Sequence, residues 1–167
     1  MMVPRTRIAL LIAAIAAAAA IAVAFGSEWY GGLVPCALCL LERWPYRIVL
    51  VLGLIGVILP RGFARLDAWL VVLVLLGGAA IAAVHVGVEA KAWPSPLPEC
   101  VAPRITPGLS MAERLAAMPS KPSKSCEDAT YLIPAVPVSF AAMNLIYALV
   151  LSGGLATFLW RSRWSGP

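Results

Sequence analysis

AWLVVLVLLGGAAIAAVHVGV, Ala68 to Val88, is a run of 21 residues whose one ionisable side chain is His85. As a helix it reaches about 30 Å, the thickness of a bilayer's hydrocarbon core, so it reads as a membrane span. Three further runs flank it. Ile8 to Phe25 is alanine-rich and uncharged. Leu40 to Leu59 has Arg43 and Arg47 in its opening turns, from which long side chains snorkel to the interface. Val136 to Trp160 is preceded by Pro134, and that proline and Pro137 suit a first helical turn, where a missing N–H costs little. Trp29, Tyr30, Trp44, Tyr46, Trp69, Tyr131, Trp160 and Trp164 fall near the ends of these runs, as interfacial aromatics do.

The whole composition agrees. With 62% apolar and 13% charged residues, the 167-residue chain has too little polar surface for an ordinary soluble domain. The net charge of +5 is spread in small groups beside apolar runs, a membrane-topology pattern and not a nucleic-acid footprint. The expected fold is an all-α membrane protein, a four-transmembrane-helix bundle in one domain over residues 1–167. A short outer loop, 26–39, and a long one, 89–135, complete it. The N-terminus, the loop from Pro60 to Asp67 and the C-terminus from Arg161 hold six arginines in 22 residues; the outer segments hold five basic groups in 61, offset in the long loop by five acids. The positive-inside rule therefore puts both termini in the cytoplasm and all four cysteines in an oxidising compartment. An 18-residue apolar run is longer than a signal-peptide core, so the first helix is expected to stay uncleaved.

Pro35-Cys36-Ala37-Leu38-Cys39 opens the second span and runs into Leu40-Leu41-Glu42-Arg43. With Pro35 at the first helical position, Cys36 and Cys39 lie three apart on one face and Cys39 and Arg43 four apart. A helix N-terminus and a guanidinium both favour thiolate, so the arrangement points to reactive sulfur, with Arg43 the cation tied to it. Arginines at span ends also serve topology or lipid headgroups. Pro45, just inside the span, is expected to kink the helix near its outer end. The long loop carries Cys100 and Cys126 among eight prolines and has little apolar core of its own. Within it, Ser110 and Glu113 match a capping box for a short amphipathic helix from Leu109 to Met118, suited to the membrane surface.

Four spans, a Cys-x-x-Cys followed by Glu42 and Arg43, and a spaced cysteine pair in the long loop resemble the DsbB family of quinone-reducing membrane thiol oxidases. The resemblance covers nearly the whole chain. It implies a bacterial inner-membrane protein that reoxidises a periplasmic DsbA-like dithiol oxidant, using ubiquinone or menaquinone from the membrane pool and no metal. By that resemblance Cys100–Cys126 is the disulfide that meets the partner, Cys100 forms the mixed disulfide, and electrons pass to Cys36 and Cys39. Cys39, aided by Arg43, then delivers them to the quinone, and His85 lies near it.

A second reading is a non-enzymatic four-span protein whose outer loops are stapled by disulfides. Structural disulfides lie below about −300 mV and DsbA near about −120 mV, so an ordinary staple would oxidise DsbA only at a cost of roughly 8 kcal/mol. A zinc site ranks third, because there is one Cys-x-x-Cys, the other cysteines are 26 apart and the one histidine lies inside a span. The vitamin K epoxide reductase-like proteins also couple thiols to quinones, but with the Cys-x-x-Cys late in the chain and the loop pair early, the reverse of the order here.

Overall fold

The computed structural model describes residues 5–100, 110–116, 124–132 and 137–164, and among them the regular structure is helical, with no strand. The helices are α1 (Arg5–Trp29), α2 (Ala37–Leu41), α3 (Arg43–Ile58), α4 (Arg61–Glu89), α5 (Met111–Ala116) and α6 (Phe140–Trp164), with a single 3₁₀ turn at Pro98–Cys100. Three of them, α1, α4 and α6, are long and apolar enough to cross a membrane. The run read as the second span is divided. Glu42 ends α2 and begins α3, and the 16 residues of α3 reach about 24 Å, short of a full hydrocarbon core.

Several boundaries differ from those read in the sequence. Helix α1 continues through Gly26 to Trp29, because nothing between Phe25 and Trp29 stops it. Helix α4 starts at Arg61, so the expected loop from Pro60 to Asp67 is a two-residue link, with Pro60 at the helix cap. Helix α6 starts at Phe140, not near Val136. Its cap is Ser139, whose hydroxyl accepts from the Ala142 N–H at 3.2 Å, and Pro137 precedes it. Pro134 and Val136 lie outside the described residues. Pro45 falls in the first turn of α3, where its missing N–H removes no interior bond; the break in the chain is at Glu42 instead.

The capping box is present as Ser110 and Glu113. Glu113 Oε2 accepts from the Ser110 N–H at 2.8 Å, and Ser110 Oγ accepts from the Glu113 N–H at 3.3 Å. Met111 is exposed, and Leu109, Ala117 and Met118 lie outside the described residues. At the end of α4 the Lys91 N–H bonds to Val88 O at 3.0 Å and the Ala92 N–H to Gly87 O at 2.9 Å, the Schellman pattern. Lys91 holds the left-handed position, at φ 56°, that glycine usually takes.

Packing follows residue size. Leu10, Ala13 and Ala17 of α1, Tyr46 and Val49 of α3, Ala68, Val71 and Leu75 of α4 and Leu155 and Leu159 of α6 form one core. Small residues let the backbones approach: a Cβ on Gly53 would lie 2.9 Å from both Ala14 Cβ and Leu10 O. Large apolar side chains such as Ile12, Ile15, Val51, Leu73 and Val150 face outward instead, the reverse of a water-soluble bundle. At the end far from the cysteines, Arg7 donates to Leu59 O at 2.7 Å and Arg65 to Leu159 O at 3.1 Å, so two arginines counted as topology signals also satisfy carbonyls near helix ends. Tyr46, counted among interfacial aromatics, is buried; its ring belongs to the core and its hydroxyl has a partner inside.

Candidate functional site

Cys36 is the N-cap of α2, so the helix begins one residue after it and Pro35 stands outside, not at the first helical position. The cap is the sulfur itself. Cys36 Sγ accepts from the Cys39 N–H at 3.1 Å and lies 2.6 Å from Cys39 Sγ. Hydrogen bonding from the Cys39 thiol holds the Cys36 thiol below its ordinary range, against the opposing effect of burial. The pair thus favours a thiolate on Cys36, with the Cys39 thiol as its donor.

Behind the pair stands a buried polar chain. His85 Nε2 is 3.4 Å from Cys36 Sγ, and its Nδ1–H donates to Glu42 Oε1 at 2.7 Å. The other Glu42 oxygen accepts from Asn144 Nδ2 at 2.7 Å, and Asn144 Oδ1 accepts from the Tyr46 hydroxyl at 2.6 Å. Glu42 is only 5% exposed, yet both its oxygens are satisfied. A buried carboxylate is tolerable only on those terms. The break between α2 and α3 is what points Glu42 inward. Arg43, the next residue, is also buried; it pairs with Glu28 of α1 and lies over the Phe25 ring, 5.1 Å from its centroid. Arg47 stacks on Trp44 at 5.2 Å.

Cys100 and Cys126 are joined as a disulfide. The Cys126 N–H bonds to Cys100 O at 3.3 Å, and Ser125 Oγ donates to the same carbonyl at 3.3 Å. Both half-cystines are buried, in one cluster with Cys36, Leu38 and Val88, against which Cys39 also packs. The long loop lacks a core of its own among the described residues. It borrows one from α2 and the end of α4.

Cys39 also lines an apolar cleft of about 250 Å³ between α1, the α2–α3 junction and α6. Ala20, Val23 and Ala24 form one wall, and Phe140, Met143 and Tyr147 the other. Glu42, Arg43, Tyr46 and Asn144 are its polar groups. An apolar trough with a few convergent polar groups suits a flat ligand with a polar head and a lipid-soluble tail. Cys36 and His85 are not among the lining residues, so the two sulfurs have distinct surroundings: Cys39 meets the cleft, Cys36 meets His85 and the loop pair.

All six residues singled out in the sequence, Cys36, Cys39, Arg43, His85, Cys100 and Cys126, gather at this one end of the bundle. His85 touches the cysteine pair and not the cleft. Glu28 and Asn144 had no signal of their own, Tyr46 was read as an interfacial aromatic, and Glu42 appeared only as part of a motif. Their partners lie 15 to 102 residues away in the chain, beyond the reach of any local pattern.

Apolar helices that carry two cysteine pairs into one buried cluster define a membrane protein built for thiol-disulfide chemistry. A model of the family described as "Disulfide bond formation protein DsbB" matches residues 6–158, and the chain belongs to that family. Two curated relatives agree. Disulfide bond formation protein B of Azoarcus sp. (strain BH72) is 35% identical over 101 residues, 58% of this chain and 59% of that protein. Disulfide bond formation protein B of Actinobacillus pleuropneumoniae serotype 5b (strain L20) is 38% identical over 98 residues, 56% of this chain and 52% of that protein. The chain thus spans somewhat over half the length of these relatives in the matched stretches. No solved structure matches it.

Proposed function

We propose that the protein is a quinone-dependent thiol oxidase that renews a DsbA-like periplasmic oxidant. The observation that carries the reading is the meeting of both cysteine pairs at one buried cluster, with Cys39 alone of the four also lining the apolar cleft beside Arg43. The reduced partner's thiolate attacks Cys100, giving a mixed disulfide and releasing the Cys126 thiolate. The partner's second thiol resolves that bond, or Cys126 attacks first at Cys36 of an oxidised Cys36–Cys39 pair, releasing Cys39 as a thiol. Closure of Cys100–Cys126 on the second route passes two electrons to the inner pair, and reforming Cys36–Cys39 gives up two electrons and two protons.

A quinone held in the cleft supplies the acceptor for those electrons and protons. Arg43 offers a positive charge beside Cys39, held in place by Glu28 and the Phe25 ring. Tyr46 and Asn144 offer polar contacts, and the apolar walls exclude water. His85, fixed by Glu42, stabilises negative charge on Cys36. The reading includes a single domain with four spans in the bacterial inner membrane, α2 and α3 together making the second crossing. A broken helix is tolerated at that depth where it lines a cavity. Both termini are cytoplasmic, as the distribution of arginine supports.

The test is an assay of the purified protein with a reduced DsbA-type substrate and a soluble quinone analogue, following quinone absorbance. Turnover that vanishes in Cys39→Ser is expected. Well-folded protein with both disulfides formed and no turnover would favour the stapled-loop reading.

A further inference from the structure

Cys36 Sγ, Cys39 Sγ and His85 Nε2 lie within 4.8 Å of one another, three donors of the kind that bind thiophilic cations. We propose that the reduced Cys36–Cys39 pair and His85 form a zinc-binding site, and that an ion bound there holds the pair as dithiolate. The inhibition this implies rests on the oxidase reading above; the binding does not.

Geometry carries the proposal. A tetrahedral zinc ion with bonds of about 2.3 Å to sulfur and about 2.0 Å to nitrogen sets sulfur and nitrogen roughly 3.5 Å apart and two sulfurs roughly 3.8 Å apart. Cys36 Sγ and His85 Nε2, at 3.4 Å, already stand at the first spacing. The two sulfurs, at 2.6 Å, must part by about 1 Å, a change within the reach of a single χ1 adjustment. His85 has the second partner that metal-ligating histidines almost always have: Glu42 Oε1 accepts from Nδ1 at 2.7 Å, which leaves Nε2 aimed at the sulfurs, and Asn144 steadies the carboxylate in turn. Glu89, one helical turn beyond His85, has Oε1 3.9 Å from Nε2 and is within reach of the fourth position. The proton balance is simple. Whatever protons the two sulfurs and His85 Nε2 carry pass to solvent as the ion binds, and no electron moves. A Cys36–Cys39 disulfide has no thiolate to offer, so the site exists in one redox state only.

The sequence placed a zinc site only third, because the one histidine lies inside a span, 49 residues from Cys36. Only the packing of α2 on α4 joins them.

Binding is read with cobalt(II) as probe on the full-length Cys100→Ser/Cys126→Ser protein in micelles, reduced and freed of reductant, and zinc(II) is then added in competition. Expected are one ion per chain, visible bands of tetrahedral cobalt with a thiolate charge-transfer band, and their loss when zinc is added or Cys36–Cys39 is oxidised. His85→Ala should weaken binding at least 10-fold, and Glu42→Gln about 10-fold. The oxidised protein, which needs no further substitution, controls for folding. Absence of tetrahedral cobalt in the folded reduced protein overturns the site, as does equal affinity in His85→Ala, which would leave two thiols binding adventitiously. In the wild type, added zinc should suppress thiol oxidation and a chelator restore it. Cobalt spectra as expected with no oxidase turnover under any condition would leave the site standing and remove the oxidase reading. Turnover unaffected by saturating zinc would remove the inhibition.

Discussion

The two cysteine pairs share one cluster but are held by different means. Cys36 and Cys39 sit at a helix start, and His85 of α4, which meets Cys36, is fixed in turn by Glu42 of the α2–α3 junction, Asn144 of α6 and Tyr46 of α3. Cys100 and Cys126 have backbone contacts, the Ser125 hydroxyl and the apolar faces of Leu38 and Val88. A pair tuned by fixed polar groups can have its thiolate placed and its proton assigned. A pair packed against the bundle through apolar contact has few polar bonds to break, which on the proposed reading lets it reach a partner. On the proposed reading, donor exchange and acceptor chemistry fall to different pairs.

Breaking the inner network should show the contrast most strongly. Glu42→Ala strands His85 and Asn144 in a buried site, with an expected loss of about 3 kcal/mol or more, read as a lower denaturation midpoint in micelles. Ser125→Ala, at the loop pair, should cost about 1 kcal/mol or less by the same measurement. Equal effects would mean the two pairs are not held differently. Next is Arg43→Gln, which removes the cation beside Cys39 and leaves the loop pair untouched. Quinone reduction should fall by about 100-fold, while exchange between the loop disulfide and a DsbA-type dithiol keeps its rate; unchanged quinone kinetics would take Arg43 out of the account.

A smaller effect concerns protons. Because the Cys36 thiol is lowered in the folded protein, its thiolate contributes stability that is fully present above the ordinary thiol range and is lost as pH falls through the lowered value. Ultraviolet thiolate absorbance of the reduced Cys100→Ser/Cys126→Ser protein should show a thiolate forming below the ordinary range. Cys39→Ala, which removes the donor, should return Cys36 toward the ordinary range. The least effect is expected at the hinge between bundle and loop. Lys91→Gly relieves a left-handed backbone and should raise stability by about 1 kcal/mol, with turnover unchanged.

Much of this was legible in the sequence for physical reasons. Length and uninterrupted apolarity identify a spanning helix wherever it lies, so α1, α4 and α6 could be read without knowing their neighbours. The capping box at Ser110 and Glu113 is equally local, a bond between residues three apart. What escaped depends on contacts that periodicity does not encode. A cysteine sulfur serving as a helix cap moved the start of α2 and made Glu42 a junction. Ser139 prevailed over the prolines as the start of α6 because a hydroxyl satisfies a free N–H, which a proline only omits. Asn144 looked like an ordinary residue of an apolar span and Tyr46 like an interfacial aromatic; their roles come from Asn144 meeting Glu42 across 102 residues of chain and Tyr46 meeting Asn144 across 98. His85 was conspicuous, but its partner was not predictable from its depth.

The central claim is that the two pairs form one exchange path through Cys36. The most direct measurement is a non-reducing peptide map of the Cys39→Ser/Cys100→Ser protein, in which Cys36 and Cys126 are the remaining cysteines. An intramolecular Cys36–Cys126 disulfide forming in the folded protein under mild oxidant is the predicted result. Folded protein that keeps both as free thiols, or links them only between chains, would contradict the account.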